Sequence, residues 1–304
     1  MEISKELFER VPAEEKNLNR IVRPSETYWQ DVWRRLKANK LAMAGLFFVI
    51  FITVLAIVGP WFSKYDYRTQ DFSIANMSPS AEHWFGTDQF GRDLFVRILY
   101  GARISLTVGY AVSILNFTIG VLYGGIAGYV GGKVDNFMMR IVDILLSIPS
   151  TIYVILLMLI FDAGLTSIII ALAITSWVGM ARIVRGQILS LKQQEFVLAA
   201  RTIGASSTRI LLRHLIPNSM GPIIVTLTLA IPSAIFSEAF LSFIGLGVSA
   251  PMASWGVLAS EALQGYQLYP YQLFFPAGAI SLTLFAFQLL GDGLRDALDP
   301  KMRK

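Results

Sequence analysis

Long apolar stretches alternate along this chain with short charged ones, and the apolar stretches have membrane length. A helix rising about 1.5 Å per residue needs about 20 mostly apolar residues to cross a hydrocarbon core about 30 Å thick. Residues 41–62 meet that requirement with no charge inside, and further runs follow at 104–127, 141–161, 165–183, 222–246 and 273–290. Asp143 opens the third run, and Pro232 and Glu238 interrupt the fifth. Neither ends a span, because membrane helices tolerate proline once neighbours re-satisfy the backbone. The pattern predicts an all-α integral membrane protein with six spans. Ahead of the first, Tyr28, Trp29, Val32, Trp33 and Leu36 recur at helical spacing among Arg34, Arg35, Lys37 and Lys40. Aromatic residues with basic neighbours suit a helix lying flat at the inner interface. The alternative is a first span that simply continues into the cytoplasm.

Composition agrees. Of 304 residues, 54% are hydrophobic and 15% charged, where about 25% charged is usual for soluble domains; mean hydropathy is +0.56. The net charge of +5 raises the question of nucleic acid, and the position of the basic residues answers it. With the N-terminus inside, 21 of the 26 Lys and Arg fall on inner segments and 5 on outer ones. That is the asymmetry of membrane topology, so no nucleic-acid partner is expected. The first run starts 40 residues into the sequence and is too long for a signal-peptide core. The expected layout is an inner segment 1–40 carrying the interfacial helix, a first span 41–62 and an outer loop 63–103. A domain of five helices, 104–292, and an inner tail, 293–304, complete it.

Much chemistry is excluded. No cysteine is present, and His83 and His214 are the only histidines, so a disulfide, a thiolate site or a three-histidine metal site within the chain is impossible. No phosphate-binding G-x-x-x-x-G-K-[ST], no H-E-x-x-H and no G-x-S-x-G occurs; Gly131-Gly132-Lys133 is followed by Val134. The chain is expected to be non-enzymatic and to need no cofactor of its own. Gly124, Gly125 and Gly128 are expected to permit close helix crossing, and Gly131 and Gly132 to make a cytoplasmic turn.

The most informative segment is the inner loop 185–217, which contains QQEFVLAARTIGASSTRILLRHLIPN. Two helical stretches flank Gly204, and Pro217 closes the segment before the fifth span. Glu195 near a helix start is favoured by the dipole, Ala199 and Ala200 offer a small face to a partner, and Gly204 turns without a Cβ penalty. An amphipathic loop lying on the bilayer fits the spacing as well.

Glu195 with Ala199-Ala200-x-x-x-Gly204 and Ile216-Pro217 resembles the "EAA" loop of ABC importer permeases, in the form of the peptide branch. Three further segments are similar to that branch: His83-Trp84-Phe85-Gly86-Thr87-Asp88 through Gly91-Arg92-Asp93, Glu238 through Gly247 with Ser254-Trp255-Gly256, and Gly291-Asp292-Gly293 through Pro300. The chain looks most like the C-type permease subunits of oligopeptide importers, with dipeptide and nickel permeases as near relatives. The resemblance implies a type I importer transmembrane domain in a bacterial cell membrane, both termini cytoplasmic. It implies a homologous second permease, two ATPase subunits that bind the ATP and Mg, an extracytoplasmic solute-binding protein and a peptide substrate. Glu195, Ala199, Ala200, Gly204 and Pro217 are implied to couple to an ATPase.

His83, Trp84, Phe85, Asp88, Arg92 and Asp93 are implied to dock the binding protein, against the alternative of a self-packed loop with Trp84 and Phe85 as interface anchors. Two intramembrane acids need partners, because an unpaired one costs about 3 kcal/mol on insertion scales. Asp143 is expected to pair with Arg140. Glu238 is expected at a subunit interface or in the pathway. The rival from another class is a self-sufficient secondary carrier, which would show inverted repeats and paired ionisable groups at the midplane.

Overall fold

A computed structural model describes residues 27–161 and 164–299. The inner tail before Thr27, and Pro300 of the C-terminal motif, lie outside the described residues. Twelve α-helices are present: α1 Tyr28–Ala38, α2 Lys40–Phe62, α3 Leu94–Val130, α4 Gly132–Ser147, α5 Ser150–Ile160, α6 Leu165–Leu191, α7 Glu195–Thr202, α8 Ser207–Ile210, α9 Ile216–Asn218, α10 Met220–Phe243, α11 Trp255–Ala262 and α12 Pro270–Leu298. Among the described residues only one isolated antiparallel bridge, Thr87 with Asp93, departs from helices and turns.

Among the described residues, five helices (α2, α3, α6, α10 and α12) are long and apolar enough to cross a membrane. The third expected span, 141–161, is not one helix. It is the bent pair α4 and α5, which meet at 84°. Pro149 sits at the break and caps α5 with φ −52°. It has no N–H to continue the ladder of α4, and it pushes Ile148 to an extended conformation (φ −109°, ψ 134°).

Three spans, α3, α6 and α12, run well beyond the apolar pattern, and in α3 and α6 the charges that seemed to end them are paired. α3 begins at Leu94, inside the expected outer loop. Its Arg103 donates to the carbonyls of Ala56 (3.2 Å) and Ile57 (2.8 Å) on α2, and its Arg97 is buried in an ion cluster. α6 runs on to Leu191, because Arg182 meets Asp143 at 2.7 Å and Arg185 grips Asp135 with both nitrogens. Asp143 therefore pairs with Arg182 on the neighbouring helix rather than with Arg140 on its own.

α3 is the central element, packed against α2, α6, α10 and α11. It meets α6 along Gly120, Gly124 and Gly128. A Cβ on Gly124 would run into the Ala181 carbonyl, and one on Gly128 into the Arg185 carbonyl and Ile188. Small residues one turn apart let two backbones approach to this distance. A second core joins α2, α3, α11 and α12 around the fully buried Trp255 and Phe287.

α1 lies against this bundle with Val32 and Leu36 buried beside Ala42, Ala297 and Leu298. Trp29 and Trp33 are exposed, and Lys37 sits over the Trp33 ring at 5.5 Å. α1 is a separate helix with an outward aromatic face, broken from α2 at Asn39, rather than a continuous extension of the first span.

The glycine row is testable. Gly124→Ala is expected to destabilise the detergent-solubilised protein by about 1–3 kcal/mol, the usual cost of overpacking. Gly186→Ala on α6, where a Cβ meets nothing within 4 Å, should leave the melting temperature unchanged or slightly raised. Equal melting of the two variants would remove the glycine row as the reason for the close approach.

Candidate functional site

Four places on the chain carry polar or exposed groups that helix packing alone does not require. The first is the loop between α2 and α3. Asp88 accepts from Arg92 Nε at 2.6 Å and from Arg97 Nη1, and Arg97 and Arg92 both reach Glu261 of α11, at 2.7 and 3.2 Å. His83 Nδ1 meets Asp93 Oδ2 at 2.8 Å under the Tyr65 ring, and Asp93 Oδ1 caps α3 by accepting from Val96 N–H at 2.9 Å. All of these except Glu261 and Tyr65 are buried.

His83, Asp88, Arg92 and Asp93 are thus buried within the chain. Their charges face one another and hold the loop onto α3 and α11. Phe85 is half-buried and stacks on Phe275 at 4.0 Å. Only Trp84 of the expected set stands out, 64% exposed. Glu261 escaped the sequence reading. Its signal was that 247–272, expected outside, has acid but no base, while the other outer loop holds all five basic residues.

The second place is Glu238, five residues before the end of α10 and fully buried inside this chain. Within this chain its carboxylate is enclosed by hydroxyl groups. Ser105 of α3 donates to its Oε2 at 2.9 Å and Ser242 to its Oε1 at 2.7 Å. Ser242 lies 3.2 Å from Ser254, and Trp255 N–H reaches Ser105 at 3.3 Å. Hydroxyls supplied from three segments replace the missing cation. Sequence spacing cannot reveal them, because Ser105 and Ser254 are remote from Glu238 along the chain.

The inner loop is the third. α7 is followed by Gly204 at φ +81°. Ala205 N–H bonds back to Ala200 O at 3.0 Å and Gly204 N–H to Arg201 O at 2.9 Å. This pair of bonds is the Schellman cap, whose left-handed position favours glycine. Val197, Ala200, Ile210 and Leu215 pack onto Val184 and Ile188 of α6, so Ala200 serves the chain's own core and only Ala199 faces outward. Glu195, Phe196, Leu198, Ala199 and Gly204 are exposed, as is Pro217. Ile203 at the tip is 84% exposed. Beyond α8 a π-helical turn, Leu211–Leu215, leads through α9 into α10. Lys192 ties the start of the loop to the carbonyls of Gly128 (2.9 Å) and Tyr129 (3.3 Å) at the end of α3, where the helix dipole favours a cation.

The fourth is a cleft of about 860 Å³ between α3, α5, α6 and α10, with no ionisable side chain in its lining. Composition did not disclose it, because its polar members are hydroxyls scattered over three helices and one amide, Asn116, on α3.

Known proteins extend this picture. Residues 120–304 match the family described as binding-protein-dependent transport system inner membrane component, and residues 27–79 match the N-terminal TM domain of oligopeptide transport permease C. The chain is 53% identical over 302 residues to the oligopeptide transport system permease protein OppC of Bacillus subtilis (strain 168), covering 99% of each chain. It is 55% identical over 294 residues to the dipeptide transport system permease protein DppC of the same organism, covering 96% of this chain and 92% of that one. The glutathione transport system permease protein GsiD of Escherichia coli O6:K15:H31 (strain 536 / UPEC) is 44% identical over 286 residues, with 93% and 94% covered. An inward-facing crystal structure of the MetNI methionine ABC transporter superposes with a TM-score of 0.56 at 20% identity, over 68% of this chain and 98% of that one; this likeness is one of fold.

The buried ion cluster and the exposed tryptophan should behave oppositely. Arg97→Met leaves Asp88 and Glu261 short of their shared cation, and breaking a buried pair costs about 3–5 kcal/mol. The variant is expected to melt well below the parent in thermal unfolding, whereas Trp84→Ala should melt with it.

Proposed function

The chain belongs to the binding-protein-dependent transport system inner membrane components, and from that premise we propose that it forms half of a peptide import pathway across a bacterial cell membrane. Members of this family are multi-pass, non-catalytic permease subunits of ABC transporters; separate ATPase subunits hydrolyse ATP. A homologous permease would supply the other half of the pathway, two ATPases would sit inside, and a solute-binding protein would deliver substrate from outside.

The observation that carries this reading is the outward face of the inner loop. Phe196, Leu198, Ala199 and Ile203 point away from the chain beside the Gly204 cap. Apolar residues gathered next to a tight turn suit a groove on a partner subunit better than free solution. A secondary carrier gives this face no purpose. Peptide is favoured over nickel because the lining of the central cleft has hydroxyl and amide groups but no carboxylate or imidazole, the groups that a divalent transition metal prefers.

ATP binding would close the ATPases and move α7. Val197 and Ala200 pack on Ile188 of α6, and the run from α8 through the π-helical turn leads into α10, so the motion would reach two walls of the cleft. ATP must bind one arrangement more tightly than the other for the equilibrium to shift. On the outside, Trp84 remains the candidate contact for the binding protein, displayed on a loop that its own ion pairs hold rigid.

Gly204→Glu tests the coupling role. It places a Cβ at φ +81° and a charge at the expected contact, and a charge buried without a partner costs several kcal/mol. About 1.4 kcal/mol already changes an equilibrium tenfold. The variant is expected in the membrane at the parent level, but with its ATPases lost on co-purification or with uptake abolished. Normal uptake with the ATPases still bound would remove the coupling role. Orientation has its own check, since the chain lacks cysteine. In Gln193→Cys, an impermeant thiol reagent added to intact cells should not label the protein, and labelling from outside would reverse the topology.

A further inference from the structure

The central cleft has a chemical bias. Asn116 of α3 is nine-tenths buried on its wall, and its Oδ1 has no hydrogen-bond partner. Ser176 Oγ of α6, also on the wall, is buried and unpartnered. An unsatisfied buried polar atom costs about 1–3 kcal/mol, so an orphaned carbonyl oxygen in a membrane helix calls for a donor from outside the chain.

The hydroxyls around it point the same way. Thr226 donates its proton to Pro222 O at 2.8 Å, Ser233 to Leu229 O at 3.1 Å, Ser237 to Ser233 O at 2.8 Å and Thr175 to Leu172 O at 3.2 Å. With their hydrogens committed to their own helices, these hydroxyls present lone pairs to the cleft. Four hydroxyls of the wall are thus set as acceptors toward the cleft. The break between α4 and α5 opens here too, through Leu146, Ser150 and Thr151. Broken backbone at membrane depth is tolerated where it lines a water-filled cavity.

We propose that this wall is the chain's substrate-contact surface, and that Asn116 and the acceptor faces of Thr226, Ser233 and Ser237 recognise the N–H groups of a peptide rather than its side chains. This rests on the peptide-pathway reading and deepens it. A peptide brings an amino group and an amide N–H at almost every residue, whatever its side chains. A wall without fixed charge neither repels nor traps acidic or basic residues, so one surface serves many sequences.

The test is ATP-driven uptake by the complete complex in proteoliposomes, with trialanine, trilysine and triglutamate as probes. Asn116→Leu is expected to lower uptake of all three about tenfold, equivalent to about 1.4 kcal/mol. Asn116→Asp keeps the acceptor but adds charge, and should favour trilysine over triglutamate. If the parent complex imports none of the probes, the peptide-pathway reading fails and this inference with it. If the parent imports them and Asn116→Leu does so at the parent rate, the inference alone is overturned. If Asn116→Leu does not assemble, Ser176→Cys decides. A small water-soluble thiosulfonate should modify it in the assembled complex, and saturating trialanine should slow the reaction. No modification, or modification that trialanine leaves unchanged, overturns the proposal.

Discussion

In hydrocarbon, two apolar helices gain nothing by hiding from water, so α3 and α6 must be held by contact alone. Gly120, Gly124 and Gly128 remove the side chains between them, and the backbones close to a separation that no Cβ would permit. Much else follows from this approach. It sets the position of Val184 and Ile188, on which the inner loop packs. It brings the end of α3 within reach of Lys192. It also puts Asn116 and Ser176 on one wall, while α10 and the bent α4–α5 pair stand off far enough to leave the cleft open.

The charges on the long helices are handled in three ways, each suited to its depth. At the first turn of α3 Arg97 is fully desolvated and is shared by Asp88 and Glu261, which fuses the loop, α3 and α11 into one unit. In the interior Glu238 has no cation and takes hydroxyl donors from α3 and its own helix instead. At the inner end Arg182 and Arg185 hold α4 by Asp143 and Asp135, with Arg182 and Asp143 half in solvent. Exposed pairs of that kind contribute little stability, so the hold on α4 rests mainly on Arg185, whose two bonds reach the buried Asp135.

What the sequence disclosed and what it concealed divide along a physical line. The uncharged span that became α2 was legible from its apolar length alone. The Gly204 turn was legible because glycine after a helical stretch has few other uses, and the separate α1 because its aromatic residues recur at helical spacing. Helix ends were less legible: α3 and α6 extend through Arg97 and Arg185, whose partners lie on other helices. The same blindness assigned Asp143 to Arg140 and hid the burial of His83, Asp88, Arg92 and Asp93. A charged residue in a loop reads as exposed until its counter-ion is known, and here Glu261 lies more than 160 residues from Arg97. Pro149 was in plain view, but an apolar run does not say whether a proline kinks a span or breaks it at 84°.

The uncharged lining of the cleft also bears on the electrical side of transport. Fixed charges on a wall stay behind when a solute crosses, so they set wells and barriers along the way but not the net electrical work. This wall adds none of its own, and the membrane potential would act on the net charge of a crossing solute. The work is about 2.3 kcal/mol per elementary charge for each 100 mV. With the cell interior negative, a basic peptide is drawn inward and an acidic one is opposed by the same amount. A pathway blind to side-chain chemistry would thus still sort its cargo by net charge, with the membrane rather than the protein acting as the discriminator.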